Sequence, residues 1–240
     1  MSALILKLVL MSLFCSYITC KSYLYEYSKI QNNLPHFAIS CSTARHFSLS
    51  QCASIASGTK SVRFFFNTIE HLCQWSCVFL LSSGCNLCQL PWIAYEVKSR
   101  RNSALETPIT GSSVMNNSYG DYHPYYATDG LFPNGYTKMF HSDFESSPWI
   151  NVDLLDILTI LFIRFYNRVD GSGERFHDVA VEVTNSSMYE QRGFYKGPAK
   201  TKEVVDILCD YPTIARYVRL KIKEGTGNSL NVPELEIYTA

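Results

Sequence analysis

The sequence predicts a small disulfide-rich α+β unit over residues 21–98, followed by an all-β sandwich over residues 102–240. Three observations carry this prediction. Six of the nine cysteines lie between Cys41 and Cys88. Past the charged, polar stretch Ser99–Ser103, a natural domain boundary, the chain breaks into short apolar runs of strand period separated by Gly, Pro, Asn and Asp clusters. Aromatic residues make up 14% of the chain, and most tyrosines fall in the C-terminal half, which suits a β protein.

At the amino end, Met1–Cys20 reads as a secretory signal, with Lys7 ahead of the apolar run Leu8–Phe14 and small or polar residues after it. That run is well short of the roughly 20 residues a membrane span needs, and no later stretch is long enough. Secretion to the extracellular space without membrane insertion is expected. The formal net charge is zero, so nothing in the charge argues for nucleic acid or an anionic membrane as partner.

Within residues 21–98, Cys41, Cys52, Cys73, Cys77, Cys85 and Cys88 read as a disulfide framework in a secreted chain. Cys73-x3-Cys77 and Cys85-x2-Cys88 also have the spacing of zinc ligands, and the signal segment favours disulfides. Their pairing is open. Cys209 stands apart, as a buried thiol, a bridge to the first unit or an intermolecular link. Ser48 caps a short helical pattern that ends at Gly58, and Val62–Phe66 reads as a buried strand. A Ser-x3-Cys-Ala helix start followed by a Phe-rich strand resembles the PAN/apple module. Two cysteines common in that family are missing, with Ala56 and Val62 in their places. The resemblance implies a helix packed on a small sheet, stapled by disulfides because so small a core is marginal.

In the second half, Ile157–Phe165 is apolar on both faces, as in a central strand. Val179, Val181 and Val183 alternate with Ala180, Glu182 and Thr184, the pattern of a half-exposed strand. Val218, Leu220 and Ile222 alternate with Arg219, Lys221 and Lys223. Asn116 and Asn185 begin N-glycosylation sequons.

The candidate site is the loop Arg168–Arg175 read together with His141. Twenty-six residues separate His141 from Arg168, Val169 alone separates Arg168 from Asp170, and four residues separate Asp170 from Arg175. Two guanidinium groups and an imidazole at one loop mouth suit a small, neutral, hydroxyl-rich ligand, because their N–H groups are directed donors. Asp170 would hold one guanidinium in a single pose rather than touch the ligand.

The pattern His141-x26-Arg168-x-Asp170-x4-Arg175 resembles the fucose-binding signature of the F-type lectins. The likeness extends over residues 102–240. Asn102–Leu105 resembles that domain's opening strand, Ala127–Gly130 its Ala-x-Asp-Gly turn and Pro148–Leu154 its tryptophan strand. Arg216–Leu220 and Pro233–Ile237 resemble its last two strands. The resemblance implies an eight-stranded, discoidin-like jelly-roll β-sandwich with the binding loops at one end. It also implies a secreted, non-enzymatic lectin recognising terminal L-fucose on glycans, in innate defence. His141, Arg168 and Arg175 would bond the sugar, with Tyr136 or Phe140 facing its methyl group. Many relatives place two adjacent cysteines after the Arg-x-Asp, where this chain has Gly171-Ser172, so a looser loop and a weaker or shifted monosaccharide preference are expected. Resemblance further implies a structural Ca2+ held by the carboxylates of Asp129 and Glu234, the carbonyls of Tyr126 and Leu131, and an oxygen of Thr137. One lectin domain per chain points to homo-oligomers for multivalent strength. The rival reading is a discoidin-like adhesion module that binds protein or lipid, with a degenerate sugar site.

Overall fold

A computed structural model describes residues 25–30, 36–82, 86–87, 90–132, 134–135 and 137–240. Residues 1–20, Cys85, Cys88 and Tyr136, each singled out above, lie outside the described residues. Two units emerge: one ends at Lys98, and the other comprises Ser99–Ala240 together with Val78–Leu81.

The first unit holds β1 (Tyr27–Lys29), β2 (His36–Ala44), α1 (Leu49–Gly58), β3 (Arg63–Asn67), the part of β4 (Leu72–Leu81) up to Cys77, and β5 (Trp92–Val97). Its strand order is β2-β4-β3-β5-β1. Helix α1 starts where the sequence predicts, because the Ser48 hydroxyl accepts the Gln51 N–H at 3.2 Å while the Gln51 side chain accepts the Ser48 N–H at 2.8 Å. These reciprocal bonds satisfy donors the helix start leaves open. Cys52, Ala53 and Ala56 form its buried face and pack with Phe64 and Phe66 of β3. Cys52–Cys73 ties that face to β4, and Cys41–Cys77 ties β2 to β4. Zinc ligation by Cys73 and Cys77 is thereby replaced by two disulfides.

The second unit is built from β6 (Ile109–Gly111), α2 (Tyr119–Tyr122), β7 (Phe140–His141), β8 (Trp149–Tyr166), β9 (Val179–Thr184), β10 (Glu190–Tyr195), β11 (Glu203–Ile222), β12 (Asn231–Val232) and β13 (Glu234–Thr239). Its frame is the antiparallel pair β8·β11, whose outer neighbours change along its length. Trp149–Asp153 of β8 pairs with Tyr217–Lys221 of β11, with β6 on one side and β9 and then β10 on the other. Ile160–Tyr166 pairs with Val204–Thr213 of β11 and, on its other side, with β13. Ile150, Val152, Val181 and Leu220 from the first set share one core with Ile163, Phe165, Val205 and Ile237 from the second. This is an all-β, discoidin-like sandwich.

Three differences from the sequence reading have local causes. Ile157 is 62% exposed, because Leu155 takes a left-handed turn where β8 changes partners, so continuous burial begins only at Ile160. All six residues of β9 are buried, since Arg219 and Lys223 bond Glu182 and cover the face expected to meet solvent. Asn102–Leu105 docks on β13 through an isolated bridge from Asn102 to Tyr238 and a bond from the Ser103 N–H to the Ile237 carbonyl, instead of forming an opening strand.

Candidate functional site

Three segments of the second unit converge on one point. Strand β7 ends in His141, and its two-residue ladder with β12 sets His141 opposite Asn231. Arg168 lies where the buried strand β8 has just ended, and Arg175 lies in the turn Gly173–Arg175.

The guanidinium of Arg168 is held on two sides. Its Nε and Nη2 donate to the two oxygens of Asp170 at 3.0 and 2.6 Å, and its Nη1 donates to Asn231 Oδ1 at 3.0 Å. This fork keeps the Asp170 carboxyl below its usual range, since the Arg168 bonds favour the charged form. Three of the five guanidinium N–H groups are thus spent on posture, leaving two for a ligand. Arg175 Nη1 donates to Asn231 Oδ1 at 3.3 Å and to His141 Nε2 at 3.4 Å. His141, Arg168, Asp170 and Arg175 are therefore brought together. Asn231, which bridges both arginines, is a site residue the sequence reading missed.

The role of His141 follows from its other nitrogen. Nδ1 lies 2.7 Å from the Ser142 carbonyl, which can only accept, so Nδ1 carries the proton and Nε2 is left as an acceptor. Burial chiefly, with the charges of Arg168 and Arg175, lowers its pKa from the ordinary 6.5. The ring is neutral at pH 7. Arginine donors and an imidazole acceptor at one mouth match a hydroxyl group, which both accepts and donates.

The loop carrying Arg175 is anchored even though Gly171-Ser172 replaces a cysteine pair. Asn167 Nδ2 donates to the carbonyls of Gly173 and Lys200 at 2.8 and 2.9 Å. Gly173 lies flat on the neighbouring backbone, where a Cβ would come within 2.5 Å of the Lys200 carbonyl carbon. Just beyond Arg175, Phe176 stacks on Phe165 with ring centroids 3.7 Å apart, which keys the loop to β8.

Of the two rings expected to face a ligand methyl group, Phe140 is fully buried in the core and cannot do so. A described aromatic beside the imidazole is Tyr122, half-buried at the end of α2, its ring 5.1 Å from that of His141.

A second cluster lies at the Asp129 turn and the start of β13. Glu234 is 1% exposed, and neither carboxylate oxygen has a hydrogen-bond partner among the described residues. Burial first, then the Asp129 and Glu236 carboxylates, push its pKa up to about 9. Asp129, itself raised by burial, accepts the Leu131 N–H at 2.9 Å, and Gly130 supplies the left-handed turn between them. The Tyr126 hydroxyl bonds the Gly120 carbonyl and Lys138, and Thr137 is half-buried. No group of three or more His, Cys, Asp or Glu side chains suited to a metal occurs among the described residues. Two facing carboxylates, one buried with orphaned oxygens, do fit a hard cation whose remaining ligands are backbone and hydroxyl oxygens.

Known proteins share this architecture. The family model of the F5/8 type C domain matches residues 108–235. A fucolectin of Anguilla anguilla is 30% identical over 101 residues, which is 40% of this chain and 63% of that protein. The chain spans about three fifths of the length of the first curated relatives it matches. Among solved structures, the lectin domain of lectinolysin complexed with Lewis B antigen has a TM-score of 0.50 at 23% identity, covering 60% of this chain and 99% of that one. A fucolectin from striped bass (Morone saxatilis) serum has a TM-score of 0.51 at 18% identity, covering 71% of this chain and 58% of that one. At such identities the structures speak to fold alone. With more than half of its residues inside the matched model, the chain belongs to the F5/8 type C domain family.

Proposed function

We propose that this chain is a secreted, non-enzymatic lectin that binds terminal L-fucose on glycans through His141, Arg168 and Arg175. The convergence of two guanidinium groups on Asn231, with a neutral imidazole bonded to the second of them, carries this reading. In it, the axial hydroxyl of fucose takes the place of Arg175 Nη1 at His141 Nε2, donating to that nitrogen and accepting from both arginines, while Tyr122 faces the methyl group. Asp170 and Asn231 touch no sugar and hold the arginines. A sugar with that hydroxyl equatorial would leave desolvated donors unpaired, at a cost of about 1–3 kcal/mol each. Similarity to the Anguilla fucolectins supports the choice of sugar.

Calcium would be held by Asp129 and Glu234 with oxygens of Tyr126, Leu131 and Thr137. It would supply charge neutralisation and tie the Asp129 turn to β13. For the first unit, the α1 helix stapled to β4 supports a PAN/apple-like reading.

Fucose-agarose tests the central reading. The parent is expected to be retained and released by free L-fucose, while Arg168→Ala and Arg175→Ala pass through. Retention of both variants at the parent's level would remove the proposed site.

A further inference from the structure

Phe144 lies three residues past His141, is 59% exposed, and has its ring 5.2 Å from the guanidinium carbon of Arg175. An exposed ring alone is ordinary. Here the backbone on both sides of the ring is pinned, and Arg175 lies against the ring itself. Asp143 N–H donates to Ser113 Oγ at 2.9 Å, and Asp143 Oδ1 accepts the Asn116 N–H at 2.9 Å. Glu145 exchanges backbone bonds with Asn228 at 2.8 and 2.9 Å, and its carboxylate accepts both Ser112 and Ser113 hydroxyls. The loop thus presents an apolar plate at the rim of the clamp. The inner positions have other roles, Phe140 in the core and Tyr122 beside the imidazole, where it would face the fucose methyl group.

Sugars carry hydroxyls around their edge and C–H groups on their faces, so a rigid aromatic beside a guanidinium suits a saccharide ring lying outside the clamp. Resting on the lectin reading, we infer that Phe144 is a specificity residue. Its ring stacks on the second sugar, the one to which the terminal fucose is joined, so that the site reads a fucosylated oligosaccharide rather than fucose alone.

The test is titration of the full chain and of Phe144→Ala and Phe144→Trp with methyl α-L-fucoside and with fucosyllactose. The parent is expected to prefer fucosyllactose by roughly two- to tenfold, the scale of one aromatic contact. Phe144→Ala should erase that preference while holding methyl fucoside within about twofold, and Phe144→Trp should keep it. Unchanged melting temperatures show that both variants fold. No preference in the parent, an equal loss for both ligands, or no loss for either overturns the inference while methyl fucoside still binds. If the parent binds neither ligand, the lectin reading itself has failed.

Discussion

A free arginine gives up rotamer entropy on meeting a ligand; Arg168 has given it up already, to Asp170 and Asn231. The same economy governs His141. Its Nδ1 proton is committed to the Ser142 carbonyl, so its usefulness depends on Nε2 staying unprotonated. Because burial lowers the folded-state pKa below 6.5, the ring stays neutral at pH values where an exposed histidine is half charged. Fucose retention is therefore expected to be level from pH 8 to about 6.5 and to fall only at more acid pH, with the midpoint below 6.5. The unfolded chain takes up this proton first, so the histidine's share of fold stability also declines as pH drops below about 6.5. A retention midpoint at or above 6.5 contradicts a buried neutral ring. The clamp was legible because four residues at fixed intervals leave a mark in the sequence. Asn231 left none: its pairing with His141 is made by two residues of ladder across a long separation. Phe140 misled for a plain reason, since an aromatic beside a site residue looks the same whether it faces ligand or core.

At the scale of elements, the loop between β8 and β9 decides whether the arginines meet. Its tightest point is Gly173, against the backbone of Lys200 and Thr201. Gly173→Ala forces backbone apart two residues from Arg175. It is expected to cost about 1–3 kcal/mol in denaturant unfolding and to abolish fucose retention. A variant that keeps both would show that the loop has slack. The strands were readable where one face is apolar, as in Val218–Ile222. They were misread where tertiary context overrides the pattern. The turn at Leu155 exposes Ile157, and the ion pairs on Glu182 cover β9. Neither a bend nor a covering ion pair has a period for a sequence to reveal.

Across the whole second unit, Glu234 is the group least at ease without a partner. Ionising a buried carboxyl group that has no hydrogen-bond partner among the described residues, beside another carboxylate, is costly; this is why its pKa rises to about 9, and a cation of the right size would offset that cost. At a hundredfold excess over its Kd, calcium is expected to add about 2.7 kcal/mol, raising the melting temperature of this unit by roughly 5–10 °C. Glu234→Gln should lose that rise. A rise that persists in the variant would place the ion elsewhere.

Asn231 and Glu234 stand at the two ends of a four-residue stretch, the first bonded to both arginines and the second with a carboxyl group that no described residue hydrogen-bonds. So short a tether makes sugar and ion two hands on the same rope. Whatever factor calcium adds to the grip on fucose, fucose must return to the grip on calcium. A chelator should then weaken the affinity for fucose, and saturating fucose should raise the affinity for calcium by the same factor at equilibrium.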